Sequence, residues 1–147
     1  MEGSSVSRLG RETRKQQHPD CFVCCQNRIF GLQVHYEARP NGEVEATVSC
    51  PEAWKGYPDW VHGGITAALL DGAMTNCLFA QGIVAVTAEL RVRYRSPLMI
   101  GKSARITAAL VRHSSALFVL EAAITQQGQV RATSTGKFLT TQERVRR

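Results

Sequence analysis

The sequence predicts an α+β domain in which a curved antiparallel sheet wraps around one long central helix. Three observations lead there. Residues 63–80 read as a helix that is apolar on nearly every side: Ile65, Ala68, Leu69, Gly72, Ala73 and Asn76 fall on one stripe at i, i+3, i+4, i+7 spacing, and Leu70, Met74, Cys77, Leu78 and Phe79 fill the opposite side. A helix of that kind is enclosed by other structure. Almost everything after it reads as strand broken by short turns. Strands joined by hairpins make an antiparallel sheet with one apolar face, and this helix is the only element long and apolar enough to cover it.

Taken in order, residues 1–18 are polar and charged without periodicity and read as a flexible basic leader. His18-Pro19-Asp20 is turn chemistry, and the cysteine-rich stretch to Gly31 reads as a compact loop. Leu32 to Ala38 alternates at period two, Pro40-Asn41-Gly42 signals a hairpin, and Glu43 to Val48 alternates again as the partner strand. Pro51 to Val61 is a loop carrying Trp54, Tyr57 and Trp60, aromatics that a solvated loop rarely spends. Gly82 stops the helix. Four strands follow, at Val84–Tyr94, Lys102–Arg112, Leu117–Thr125 and Val130–Leu139, with turns at Ser114-Ser115 and Gln127-Gly128. The domain therefore spans 19–140, with a basic tail at 141–147.

Composition narrows the function. At 147 residues the chain fits one domain with a substantial core, and 44% hydrophobic residues is ordinary for a globular protein. No run approaches the 18 or so apolar residues of a membrane span, and no secretory segment opens the chain, so the reading is cytoplasmic with no membrane partner. The net charge of +6 is mostly in the ends: residues 1–18 carry +2, residues 141–147 carry +2, and the body only +2. Basic ends are commonly solvated, so nucleic acid is not expected as a partner.

Five cysteines without an export signal argue against a disulfide framework. Cys50 and Cys77 read as buried thiols. Cys21, Cys24 and Cys25 form C-x-x-C-C with His18 three residues ahead, which supplies half of a zinc site. No second C-x-x-C follows, and Cys50 would have to complete the set. The cluster is therefore read as a packed turn, with no metal expected.

The chemistry points to Asp71, the only Asp, Glu, Lys or Arg between Asp59 and Glu89. A carboxylate in an apolar helix is costly unless paired, hydrogen-bonded or used. Just ahead of it, Gly63 and Gly64 stand at the start of the helix, where unpaired N–H groups and the positive dipole end suit an oxyanion. Glycine there lets a carbonyl come close to the backbone.

The element order and motifs resemble the hotdog-fold superfamily, and within it the PaaI-like acyl-CoA thioesterases, over about residues 19–140. The resemblance rests on Cys21-Phe22-Val23-Cys24, Phe30-Gly31-Leu32, His62-Gly63-Gly64-Ile65, Leu69-Leu70-Asp71, Val86-Thr87 and Tyr94-Arg95-Ser96-Pro97. It implies that Asp71 is the catalytic carboxylate, as nucleophile or general base, and that the Gly63 N–H polarises a thioester carbonyl. It further implies that His62 shapes the turn or contacts substrate, and that Thr87 holds the carboxylate or its water. Many relatives follow that aspartate with glutamate; Gly72 stands here instead.

The implied activity is hydrolysis of an acyl-CoA thioester to acid and free CoA, with coenzyme A as part of the substrate and no metal or redox cofactor. Candidate substrate contacts are Gly64 at the helix start, Trp54, Tyr57, Met74 and Leu78 for the acyl group, and Arg93 and Arg95 either for CoA phosphates or as solvated charges of the outer face. Regular pairing would put Arg91, Arg93 and Arg95 on one face with Thr87, so a Thr87 that meets the helix requires a bulge near Ala88 or Glu89. Eight helical residues rise about 12 Å, too far for one chain's Gly63 and Asp71 to share a thioester. Self-association as a dimer or tetramer, with Gly63 of one chain facing Asp71 of another, is expected. The alternative is a non-catalytic acyl-CoA-binding or sensing protein. A dehydratase or hydratase is disfavoured because residues 63–80 contain no histidine.

Overall fold

The computed structural model describes residues 5–140; the basic tail expected at 141–147 lies outside the described residues. Two helices and six strands follow in the order α1 (Ser5–Gln17), β1 (Glu37–Ala38), β2 (Val44–Val48), α2 (Gly63–Phe79), β3 (Ala85–Tyr94), β4 (Ala104–Ser114), β5 (Leu117–Gln126) and β6 (Gln129–Thr140). The strands form one antiparallel sheet in the order β1-β2-β4-β5-β6-β3. This is the hotdog architecture, with α2 as its filling.

Helix α2 is the core. Eleven of its 17 residues are buried, and Leu69, Leu70, Ala73, Met74 and Cys77 are fully enclosed. They meet the inward-facing set of the sheet, including Val44, Ile106, Leu120, Ile124 and Phe138. Burying side chains of this size contributes about 1.5–3 kcal/mol each, so the helix and the sheet face stabilise one another. Gly82 ends the helix as expected: its φ of +71° lets Ile83 N–H turn back to Leu78 C=O at 3.0 Å.

The N-terminal segment differs from the expectation of an unstructured leader. Residues 5–17 form α1, which lies on the C-terminal end of α2. Gly10 makes this approach possible, since a Cβ there would sit 3.2 Å from Ala80 Cα, and Leu9 rests on Gly82. The sequence hides the helix because its contact face is small, with Val6, Ser7, Leu9 and Gly10 set amid arginines. The first expected strand is also shorter. Leu32, Val34 and Tyr36 are buried alternately, as a strand would bury them, yet Leu32 and Val34 bond backbone to Phe22 and Val23 of the preceding loop. Only Glu37–Ala38 pairs with β2.

The link from β3 to β4 is not a hairpin, contrary to the sequence reading. β3 pairs with β6 at one edge of the sheet, so residues 95–103 cross to β4 further in. Gln126 holds that crossover. Its buried amide donates to Met99 C=O at 2.9 Å and Lys102 C=O at 3.0 Å, and accepts from Met99 N–H at 2.8 Å. Gln126→Leu strands these backbone groups and is expected to cost about 2–4 kcal/mol, read as a lowered midpoint in urea unfolding.

Candidate functional site

The start of α2 is built by its own cap. His62 Nδ1 accepts from Gly64 N–H at 2.8 Å, and His62 C=O accepts from Ile65 and Thr66 N–H at 3.0 Å each. An imidazole that accepts at Nδ1 carries its proton on Nε2. Gly64 is small for this reason, because a Cβ there would lie 3.0 Å from the His62 ring. The remaining donor, Gly63 N–H, has no protein partner among the described residues. Tyr94 Oη donates to Gly63 C=O at 2.7 Å and ties the end of β3 to the helix start. The chain thus presents one free N–H at a helix N-terminus.

That N–H opens on a cleft of about 400 Å³ lined by Tyr57, Trp60, Gly63, Tyr94, Arg95 and Arg131, among others. Tyr57 and Trp60 stand edge to face at 5.7 Å. Arg131 is a residue the sequence reading missed; it reaches Ser96 Oγ and Pro97 C=O from β6, and a lone arginine in a strand carries no signal. Trp54, Met74 and Leu78 are buried in the core and line no part of this cleft. Full burial is what a helix enclosed on all sides imposes on Met74 and Leu78. Arg93 is also outside it. With Arg91 and Arg95 it borders a larger hollow of about 750 Å³ walled by Thr107, Ala109, Glu121 and Ala123, which Gly63 and Asp71 do not touch.

Asp71 lies eight residues along α2, half-buried, and Thr87 Oγ1 donates to its Oδ1 at 2.7 Å. The bulge this contact requires is present: β3 shifts register against β6 between Thr87 and Glu89, leaving Ala88 unpaired. Thr87 therefore turns toward the helix while Arg91 and Arg93 face outward. Burial pushes the Asp71 carboxyl above its usual range, opposed by the Thr87 hydrogen bond and by His18. Proton affinity raised by burial is the condition of a usable base. Gly72 beside it admits no side chain, because a Cβ would meet Val23 Cγ1 at 2.7 Å and the Tyr36 hydroxyl at 2.8 Å. A glutamate, usual at that place in the relatives the motif resembles, is excluded here by the cysteine loop and Tyr36.

His18, read from the sequence as part of a turn beside the cysteine cluster, lies within electrostatic reach of Asp71. Burial and then the Arg14 charge lower its pKa, against the opposing effect of Asp71. Its Nδ1 is 3.6 Å from Cys24 Sγ. Burial and neighbouring Cys21 push the Cys24 thiol up to about 12, which removes it as a nucleophile at neutral pH.

The family model of the thioesterase superfamily matches residues 60–133, the segment holding the cap, Asp71 and Thr87. The chain belongs to the thioesterase superfamily. A solved thioesterase superfamily protein is 27% identical with a TM-score of 0.76, over 80% of this chain and 59% of that one; the present chain thus spans under two thirds of that relative. The PaaI protein of E. coli, from a phenylacetic acid degradation operon, is 18% identical with a TM-score of 0.76, over 92% of this chain and 96% of its own. A hypothetical thioesterase of Streptococcus pneumoniae, solved with coenzyme A, is 21% identical with a TM-score of 0.69, over 74% and 88%. The last two likenesses speak to the hotdog fold of this thioesterase-superfamily chain. No curated protein matches it.

Proposed function

We propose that the protein is an acyl-CoA thioesterase that works as a dimer, with Asp71 as general base or nucleophile and the Gly63 N–H of the other chain as the donor to the thioester oxygen. One observation carries the reading: a carboxylate of raised proton affinity, held by Thr87, beside a strand whose outer edge is open. β3 is the last strand of the sheet, and its unpaired backbone groups are suited to a second copy of the same strand. Thr87 is exposed in the single chain, and such pairing would cover it. Gly63 and Asp71 are separated by about 12 Å of helix, so two-fold pairing is the economical way to bring a donor and a carboxylate together. Two variants of the S. pneumoniae protein replace an aspartate and a threonine sixteen positions apart, the separation of Asp71 and Thr87.

In the general-base form, Asp71 takes a proton from water as the water oxygen bonds to the thioester carbon. The carbonyl oxygen gains negative charge opposite the Gly63 N–H. The C–S bond then breaks, and the proton passes to the CoA thiolate, giving acid and free thiol. In the nucleophilic form, an Asp71 oxygen bonds to that carbon first and the C–S bond breaks to expel the CoA thiolate; water then cleaves the resulting anhydride, which frees the acid, restores the Asp71 carboxylate and supplies the proton that the thiolate takes up. Tyr57 and Trp60 offer an aromatic wall to the acyl group, and Arg95 and Arg131 offer cations for phosphate oxygens.

Thiol release from a panel of acyl-CoAs, aromatic through long-chain, tests the reading. Turnover is expected, and the profile names the acyl class. Tight binding of CoA esters without turnover would sink it and favour a sensor. Thr87→Val removes the bond that favours ionised Asp71, so the carboxyl pKa rises further. The acid limb of the kcat/KM profile is then expected to move to higher pH, with activity lost on the low-pH side first.

A further inference from the structure

We propose that His18, Cys21 and Cys24 form a binding site for one Zn²⁺ ion, which closes the segment after α1 against the central helix it packs on. The ligand atoms of these three residues all lie within 4.8 Å of one another. A tetrahedral zinc with Zn–N of about 2.0–2.1 Å and Zn–S of about 2.3 Å sets N···S near 3.6 Å. The distance from His18 Nδ1 to Cys24 Sγ is 3.6 Å. Two thiolates and an imidazole are the donor set that zinc favours over the harder divalent cations.

The surroundings hold the donors in place. Cys25 N–H closes the C-x-x-C turn on Cys21 C=O at 3.0 Å, and Val23 N–H donates to Cys21 Sγ at 3.3 Å. Hydrogen bonds of this kind orient a metal ligand from behind. The His18 ring stands edge-on to Phe79 of α2 at 4.9 Å and 86°, and Arg14 reaches the carbonyls of both His18 and Cys24 from α1. Cys24 is 1% exposed. The neighbouring thiol is not in the set: Cys25 Sγ donates to Pro19 C=O at 3.1 Å.

Binding replaces two S–H bonds by two Zn–S bonds and releases both protons to solvent, with no change of oxidation state. Water fills the fourth position. The zinc would close the residue that follows α1 onto the cysteine loop, and the His18 ring, packed on Phe79, sets that closed segment against α2.

The test titrates the reduced full-length protein with Co²⁺ in the absence of oxygen. One Co²⁺ per chain is expected, with thiolate-to-cobalt charge transfer in the near ultraviolet and the strong visible bands of a tetrahedral ion, all erased by Zn²⁺. Cys24→Ser and His18→Gln are each expected to weaken cobalt binding by more than about 100-fold, beyond the effect of a supporting residue. Cys25→Ser is expected to keep it. X-ray absorption of zinc-loaded wild type needs no variant and should read two sulfurs at about 2.3 Å with a histidine nitrogen. A reduced protein without the charge-transfer band, a band that survives Cys24→Ser, or a zinc shell without sulfur overturns the proposal.

Discussion

Asp71→Asn is expected to lower thiol release from the best acyl-CoA by at least about 100-fold, the scale of a lost general base, while making the protein more stable. The two effects share one cause. Burial raises the Asp71 carboxyl above its ordinary value, so the folded chain holds that proton at pH values where the unfolded chain has already released it. Stability then falls as pH rises from the ordinary aspartate value through the raised one, and stays lower above it. Asparagine carries no charge to desolvate, and its carbonyl can still accept from Thr87. The variant should therefore show a higher melting temperature at neutral pH, with a gain of about 0.5–2 kcal/mol typical of relieving a functional site, and the gap to wild type should narrow in acid. Activity that survives the change would place the chemistry elsewhere. A single turnover in ¹⁸O water tests the nucleophilic role: label in the Asp71 peptide marks an anhydride opened at the aspartyl carbon, which a general base never forms.

Gly63→Pro is expected to cost about 10²–10³ in kcat, the usual effect of deleting one oxyanion donor, with little change in stability. Proline suits this position for three reasons. Gly63 is the first residue of α2, where proline loses no helical hydrogen bond and its φ is already helical. His62 has φ −57° and ψ 133°, the extended conformation a residue before proline adopts. A Cβ at 63 would meet Tyr94 at 3.6–3.7 Å, ordinary contact. The substitution therefore removes an N–H and nothing else of consequence. Mixing the Gly63→Pro and Asp71→Asn chains tests the arrangement across the dimer. Random pairing should restore about a quarter of wild-type activity, because half the dimers are mixed and each holds one intact site of two. A site built within one chain would recover nothing.

Much of the fold was legible because its signals are local and strong. The all-round apolar character of residues 63–79 announces an enclosed helix, and the two-residue alternation announces the long strands; both periods follow from backbone geometry alone. Asp71 stood out because a lone carboxylate in that setting has to be explained. The bulge at Ala88 could be argued from a side-chain face, since Thr87 and Arg91 cannot both keep regular pairing if one meets the helix. α1 was hidden because its contact rests on a glycine, Gly10, whose value lies in what is absent from it.

The sequence by itself determined the long strands, the central place of α2, its glycine start and stop, and Asp71 as the residue to account for. These depend on periodicity, capping and desolvation, which act over a few residues. Tertiary structure alone decided which strands are neighbours, and so that β3 is left with an open edge. It decided that Met74 and Leu78 fill the core. It also set Val23 and Tyr36 against Gly72. Each of these is a contact between side chains or backbones brought together only by closing the sheet around the helix, and no local pattern encodes such a distance.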